Sequence, residues 1–139
     1  MIGSLEVSTS ALVAQRTRMN VIAGNIANMH ATADAAGNPR PYQRRVALLA
    51  TGNPAAGPDA PGVHVQAVVK DPAPFRKVHD PTHPHAIQSG PDAGYVLYPN
   101  VDHTTEMINA LQAARAYEAN VTVMDITKTM AAASLRLLG

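Results

Sequence analysis

The side chains in this sequence that could bind a metal ion lie in one short proline-rich segment. Imidazole and carboxylate groups are ordinary zinc ligands, and four of them stand close together: His79, Asp80, His83 and His85. Pro81 and Pro84 interrupt the segment and favour extended turns, so its histidines cannot share one helix face in a His-x-x-x-His pattern. We therefore predict no metal site, and we expect His79 to belong to a rigid turn.

Other patterns that carry catalysis are missing from the sequence. Ser89 and Gly90 do not form a Gly-x-Ser-x-Gly nucleophile elbow, and neither a phosphate-binding loop nor a Gly-x-Gly-x-x-Gly dinucleotide motif is present. The chain contains no cysteine, which excludes thiol catalysis, disulfides and Cys-ligated zinc. The sequence therefore predicts a protein that is not an enzyme, with no catalytic residues, no cofactor and no small-molecule substrate.

The prolines divide the chain into three parts. All 11 of them lie between Pro39 and Pro99, which leaves two proline-free ends. A proline inside a helix removes a hydrogen bond and clashes with the preceding turn, at a cost of about 3 kcal/mol. We therefore predict an α+β fold, in which long N- and C-terminal helices pair as a coiled-coil-like unit and enclose a small β-rich, Pro- and Gly-rich middle segment.

The N-terminal end, residues 1–30, carries apolar residues at heptad spacing. Leu5, Leu12, Met19 and Ile26 fill one seam position, and Ile22 and Met29 fill the second. This stripe predicts a long N-terminal axial helix, whose start Ser8 or Ser10 could cap. The seam is weak at Ser8 and Gln15, so an isolated helix would be unstable.

The C-terminal end, residues 101–139, predicts a second helix that starts near Asp102 and is roughly 55 Å long. Its apolar face comprises Met107, Leu111, Ala114, Val121, Met124, Ala131, Leu135 and Leu138. A compact monomer cannot bury so long a stripe without an equally long partner, and the N-terminal stripe is the obvious candidate. Two arrangements remain open: a helical hairpin within one chain, or an assembly in which both stripes meet neighbouring subunits.

The middle segment, residues 31–100, reads as short strands separated by turns. We expect strands within residues 42–50, 63–69 and 94–98, and a mobile loop at residues 55–62, which are rich in Gly and Pro. Strands this few and short predict a small sheet or a set of hairpins.

Charge and hydropathy narrow the function classes further. The formal net charge is +1, without the basic excess that binds phosphate backbones, so nucleic acid is not an expected partner. Residues 1–10 lack a basic segment and carry Glu6 within the apolar stretch, unlike a cleaved signal peptide. No apolar run approaches the ~20 residues of a membrane span. A route other than signal-peptide secretion is expected if the protein leaves the cytoplasm.

Several motifs resemble those of a known family. Residues 18–28, which read Arg-Met-Asn-Val-Ile-Ala-Gly-Asn-Ile-Ala-Asn and are followed by Thr32, resemble the N-terminal signature of bacterial flagellar rod and hook proteins. Residues 71–76, 79–84, 94–101, 106–107 and 115–121 narrow the resemblance to the proximal-rod family lettered C, over about residues 5–138. Gly24 departs from the family pattern, which has Asn there.

This resemblance implies a structural subunit of the flagellar proximal rod. Such subunits assemble through their terminal helices into a helical tube that transmits torque across the periplasm, after export by the flagellar type III apparatus without a cleaved signal peptide. The implied partners are further copies of the chain, other rod subunits, the rod-base adaptor and the export apparatus.

The resemblance and the stripes together predict the contact residues. For the helix seam and assembly we expect Leu5, Leu12, Met19, Ile22 and Ile26 to face Leu111, Ala114, Val121, Met124, Leu135 and Leu138. By motif match, Asn25, Asn28, Tyr117, Glu118 and Asn120 are expected to make polar contacts between subunits. Two rivals stay open: a soluble coiled-coil adaptor that forms a closed oligomer, and a zinc enzyme that uses His79, His83 or His85.

Overall fold

The computed structural model describes residues 2–57 and 59–138, with the side chains of residues 3–57 and 59–137. The order of elements is α1 (Ile2–Ala27), β1 (Arg45–Thr51), β2 (Val63–Lys70), β3 (Arg76–His79), β4 (Tyr95–Tyr98) and α2 (His103–Leu138). A helix at each end and small antiparallel strand pairs between them confirm the predicted α+β class.

The two helices pack against each other and run antiparallel. The side chain of Asn25, near the end of α1, contacts that of Glu106, near the start of α2, and the helices pack together beyond this point. Helix α1 has 26 residues and α2 has 36, so they are roughly 39 and 54 Å long. Measured from the Asn25–Glu106 contact, the last turns of α2 therefore extend beyond the start of α1.

The starts of the two helices are built differently. The predicted cap at Ser8 or Ser10 is wrong, because α1 already begins at Ile2 and both serines are buried inside it. The Ser10 hydroxyl instead donates to the Val7 carbonyl at 2.7 Å and accepts the Val63 N–H of β2 at 3.1 Å. Asp102 caps α2, where its carboxylate accepts the Thr105 N–H at 2.8 Å. The Thr105 hydroxyl also bonds this carboxylate, and these bonds lower the pKa of Asp102.

The middle segment forms two separate antiparallel pairs. Strands β1 and β2 pair from Arg45–Lys70 to Thr51–Val63, with an irregularity between Leu48 and Leu49, and this pair packs on α1. Strands β3 and β4 form the second pair. The three strands expected from sequence are confirmed, whereas β3 was missed because three of its four residues are Arg, Lys and His.

The buried interior is small. Among the residues whose side chains the structure describes, the fully or nearly buried apolar ones are few: Ala14, Ile22, Ala86, Val96 and Ala113. The accessible surface is 9109 Å², whereas a compact monomer of 14.6 kDa exposes about 6,900 Å². The chain thus exposes about 2,200 Å² more than a compact monomer of its size would, as expected of an elongated helix pair.

Candidate assembly surface

A buried polar cluster joins the end of α1, the entry to β1 and the start of α2. Glu106 is 0% exposed, and its carboxylate accepts the Nε–H of Arg44 at 2.7 Å and an Nδ2–H of Asn25 at 3.0 Å. Asn25 also donates to the Arg45 carbonyl at 2.8 Å and accepts the Arg45 N–H at 2.9 Å. The Tyr42 hydroxyl donates to the Asn25 amide oxygen at 3.0 Å. Every polar atom of the Asn25 side chain is therefore bonded within the chain.

Arg44 extends this cluster to the end of β2. Its Nη1 lies 2.9 Å from the carboxylate of Asp71, and its backbone N–H donates to the Asn100 side chain at 2.9 Å. Burial alone would lower the pKa of Arg44, but its hydrogen bonds to Glu106 and Asp71 outweigh that effect and raise the pKa. The Ala73 N–H and the Arg44 guanidinium lower the pKa of Asp71. Arg44 and Asp71 are therefore both charged at neutral pH.

The structure places the five predicted polar contact residues in different settings. The prediction for Asn25 is corrected, because its side-chain amide is hydrogen-bonded inside the chain and is not free for another subunit. Asn28 and Asn120 donate to carbonyls one turn earlier in their own helices, Gly24 at 2.8 Å and Ala116 at 2.7 Å. Tyr117 is half-buried and Glu118 is exposed. Subunit contacts at the four residues other than Asn25 stay a prediction.

Arg44 and Glu106 were missed as site residues. Glu106 belongs to one of the motifs that resemble the family, but no neighbouring residue indicates that its partner is Asn25, 81 positions away in the sequence. One signal was available: Glu106 begins the 4-3-4 spacing that continues through Ala110, Ala113 and Tyr117, so it lies on the face that pairs with α1.

The face of α2 that packs on α1 is composed of small and polar residues. Among the described helices and strands α2 contacts only α1, and most of its buried or half-buried residues recur at alternating spacings of four and three. They are Glu106, Ala110, Ala113, Tyr117, Asn120, Met124, Thr127 and Ala131. Small side chains at this seam let the two helices approach closely.

The apolar stripe predicted for α2 is therefore turned away from its own α1. Leu111, Val121 and Leu135 are 53%, 37% and 71% exposed, so of the two arrangements left open by the sequence, these three residues do not fit the hairpin within one chain. For Leu111 and Val121 the physical reason is an offset of one residue, about 100° around the helix, from the face that pairs. Leu135 is exposed because it lies in the last turns of α2, which extend beyond the start of α1. Ala114 is half-buried, Met124 lies on the pairing face, and the side chain of Leu138 lies outside the described residues. Contact of this stripe with other subunits stays a prediction.

The predicted seam residues of α1 are all at least partly covered. Ile22 is buried, and Leu5, Leu12, Met19 and Ile26 are half-buried. The weak position at Gln15 is visible as a buried side-chain oxygen that has no hydrogen-bond partner within residues 2–57 and 59–138.

The far side of α2 carries a second apolar surface near its C-terminal end. Ile126, Met130 and Leu137 are 54%, 61% and 88% exposed, and Ala133 lies between them at helical spacing. Neither described helix has a stretch that is long and apolar enough to cross a bilayer. In the single chain this surface is exposed to water.

The histidine segment packs as a turn against β4. The expectation that His79 belongs to a turn is wrong, because His79 is the last residue of β3. It packs edge-on against Tyr95, with ring centroids 5.0 Å apart. The His83 ring accepts the His85 N–H at 3.0 Å, and His85 Nδ1 lies 2.9 Å from the Thr32 hydroxyl. Within the described part of the chain, no three His, Asp or Glu side chains are grouped so that they could hold a metal ion.

Known proteins match this arrangement along nearly its whole length. A family model described as "Flagella basal body rod protein" matches residues 5–33, and one described as "Flagellar basal body rod FlgEFG protein C-terminal" matches residues 92–137. These two segments include most of α1 and nearly all of α2.

Individual relatives give the same result over the full chain. The flagellar basal-body rod protein FlgC of Borreliella burgdorferi is 38% identical over 148 residues, which cover 99% of this chain and 97% of the relative. The protein of the same name from Bacillus subtilis is 38% identical, with 96% and 95% covered. That of Yersinia enterocolitica is 39% identical, with 99% and 97% covered. This chain belongs to the FlgC family of flagellar basal-body rod proteins.

Proposed function

We propose that this rod subunit assembles with further copies of itself and with other rod subunits into a helical tube through its two terminal helices. The observation that carries the proposal is the apolar surface that α2 leaves uncovered on the sides turned away from α1, at residues such as Leu111, Val121 and Ile126. In a monomer these side chains face water, whereas in a tube each α2 is surrounded by neighbours. The rod-base adaptor is a further partner at the end of such a tube.

An open assembly suits these surfaces better than a closed one. The surfaces that α1 and α2 leave uncovered carry different residues, so a contact between α1 of one copy and α2 of another joins unlike patches. Contacts of that heterologous kind produce open helical polymers unless the rotation between copies happens to close a ring. The soluble adaptor with a closed oligomer remains the alternative, and the sedimentation of the purified chain distinguishes the two.

The proposed mechanical role is transmission of torque across the periplasm. The ionic cluster around Glu106 fixes the ends of the two helices to the β1–β2 pair, so a twist applied to the helices is passed to the middle segment. Packing between copies then carries torque along the tube without any covalent link.

Export in an unfolded state by the flagellar type III apparatus is part of the same proposal. The small interior supports it, because a chain that buries few apolar side chains is unfolded at modest cost. A chain without cysteine also cannot form wrong disulfides on entering an oxidising compartment.

A charge placed on the exposed stripe of α2 tests the proposal. In the bacterium that carries this chain, Val121→Asp is expected to abolish swimming and to remove the chain from isolated basal bodies, because a buried carboxylate without a partner is not tolerated in a subunit seam. Export into the periplasm or medium should continue, as measured by immunoblot.

A matched control adds the same charge elsewhere on α2. Thr104→Asp places a carboxylate in the exposed first turn, where the helix dipole favours an acid, and swimming should persist. Normal swimming of the Val121→Asp strain would contradict assembly through this stripe.

A further inference from the structure

We propose that the C-terminal third of α2 from one copy of this chain docks into a groove on α1 of the next copy, on the side of α1 that is turned away from its own α2. The docked segment runs antiparallel to that α1. This inference rests on the proposed assembly and adds the binding surface, the segment that occupies it and their relative direction.

The groove lies between α1 and the β1–β2 pair and has a volume of about 690 Å³. From α1 it is lined by Leu5, Thr9, Val13 and Thr17, which recur every four residues, and from β2 by Val63 and Val65. Its walls are mainly apolar, and Val13 is 62% exposed at its centre.

Apart from Leu5, which also holds a predicted seam position, this groove is not the surface that α1 presents to its own α2. Successive residues of a helix are about 100° apart, so Val13 points about 200° away from Gln15, which lies at a seam position. The lining of the groove includes no residue of α2. Helix α1 is thus covered by its own α2 on one side, and the apolar groove lies uncovered on the other.

The segment that fits the groove is the outer stripe of α2, defined as Ile126, Met130, Ala133 and Leu137. Its large side chains are exposed in the single chain. From Ile126 to Leu137 the stripe is roughly 17 Å long, and from Leu5 to Thr17 the groove is roughly 18 Å long. A ridge with spacings of four and three packs naturally into a row spaced by four. The two surfaces therefore match in length, in polarity and in spacing.

Charge decides the direction of the docked helix. Glu6 is the one carboxylate in the lining of the groove, to which β2 also contributes His64, and Arg16 stands on the same side of α1, seven residues after Thr9. On α2, Asp125 and Arg136 flank the outer stripe and are 11 residues apart, which is three helical turns. None of these four side chains forms an ion pair within the part of the chain that the structure describes.

Only one direction pairs these charges favourably. In an antiparallel arrangement Glu6 meets Arg136 of the second copy while Arg16 meets its Asp125. A parallel arrangement sets Glu6 against Asp125 and Arg16 against Arg136, so both contacts would be repulsive. The antiparallel arrangement also repeats the direction in which α1 and α2 pack within one chain.

Disulfide cross-linking in assembled basal bodies tests the docking, and the absence of natural cysteines makes every cross-link assignable. The variant Val13→Cys/Met130→Cys carries one cysteine at the centre of the groove and one at the centre of the stripe. Basal bodies isolated from cells that express it and then oxidised should yield a ladder of dimers and larger multimers on non-reducing gels. The control Val13→Cys/Leu111→Cys, whose second residue is exposed but outside the outer stripe, should remain mostly monomeric.

A charge exchange tests the direction separately. Glu6→Arg or Arg136→Glu in the cross-linking variant is expected to lower the multimer yield about fivefold. The two substitutions combined should restore the yield, because the pair is re-formed with its signs exchanged. Failure of the combination to recover would overturn the antiparallel direction.

The outcomes separate this inference from the function on which it rests. If the cells swim and their basal bodies contain the cysteine variant, but Val13→Cys/Met130→Cys gives no ladder, the groove is not occupied by α2 of another copy and the docking is wrong. The rod function would then still stand. If the unsubstituted chain is missing from basal bodies, the proposed function and the docking fail together.

Discussion

Glu106 shows how one residue can fix the arrangement of two long helices. A buried carboxylate is costly unless its charge and its lone pairs are satisfied, and here Arg44 and Asn25 supply the partners at 2.7 and 3.0 Å. A register shift that placed a neighbouring residue of α2 at this contact would turn Glu106 about 100° away from Arg44 and Asn25. The cluster therefore specifies the register of a seam that its small residues alone would define poorly.

Removal of the carboxylate should destabilise the fold strongly. Glu106→Ala leaves the partly buried Arg44 guanidinium with only Asp71, and we expect it to lower the free energy of unfolding by about 3 kcal/mol. Urea denaturation followed by circular dichroism measures the change. Glu106→Gln should cost less, because its side-chain oxygen can still accept a hydrogen bond from Asn25 or Arg44.

An exposed ion pair provides the control for this prediction. Lys77 and Asp92 are 2.8 Å apart but both largely solvated, so Lys77→Ala should cost less than about 1 kcal/mol. Equal costs for Glu106→Ala and Lys77→Ala would contradict the role given to the buried cluster.

The sequence identified part of this cluster and assigned it a different role. Asn25 was selected by its motif, but the motif cannot tell whether an amide bonds its own chain or a neighbour. Arg44 lies outside every pattern of the sequence, since its partners Asp71 and Glu106 are 27 and 62 positions away. Only the fold brings these residues together.

At the scale of elements, one glycine controls how closely α1 approaches the β1–β2 pair. Gly62 has a φ of +146°, and a Cβ at this position would lie 2.6 Å from the Ser10 hydroxyl oxygen. That hydroxyl is the acceptor for the Val63 N–H. A side chain at Gly62 would therefore strain the backbone and displace α1 from β2 together.

Gly62→Ala is expected to lower the free energy of unfolding by about 2 kcal/mol. The matched control is Gly37→Ala, because Gly37 also has a positive φ, +82°, but a Cβ there meets no atom within 4 Å. The control should cost only the conformational strain, about 1 kcal/mol. Thermal denaturation of both variants gives the comparison, and equal midpoints would show that the close contact with Ser10 does not matter.

Elements were predictable from the sequence where one strong local signal existed. The confinement of prolines to residues 39–99 located both helices, whose observed limits are Ile2–Ala27 and His103–Leu138. The pairing face of α2 was not predictable in the same way. Hydrophobicity selected the row with Leu111 and Val121, while the chain pairs through the row with Ala113 and Asn120, since close helix packing favours small residues there. The larger apolar residues of the other row are exposed in the single chain.

Across the whole molecule, stability is distributed unevenly along the helix pair. At one end the buried cluster joins both helices to β1. At the other end α2 extends past the start of α1, and α1 is the only described helix or strand that contacts α2 at all. Helix segments without packing partners are marginal in water. The exposed Met130 and Leu137 lie at this less stable end, which is also the end that the docked arrangement would bury in the next copy.

This gradient predicts a specific pattern of amide hydrogen exchange. In the purified chain we expect slow exchange near Glu106 and Ala113 and fast exchange over residues 130–137, because local opening costs little where few contacts must be broken. In isolated basal bodies the same C-terminal residues should become protected, since neighbouring copies then cover the outer stripe. Mass spectrometry of peptides from the two samples makes the comparison, with residues 107–113 as the internal reference that should change little. If residues 130–137 of the free chain are already as protected as that reference, the end of α2 is stable by itself, and neighbouring copies are not what orders it.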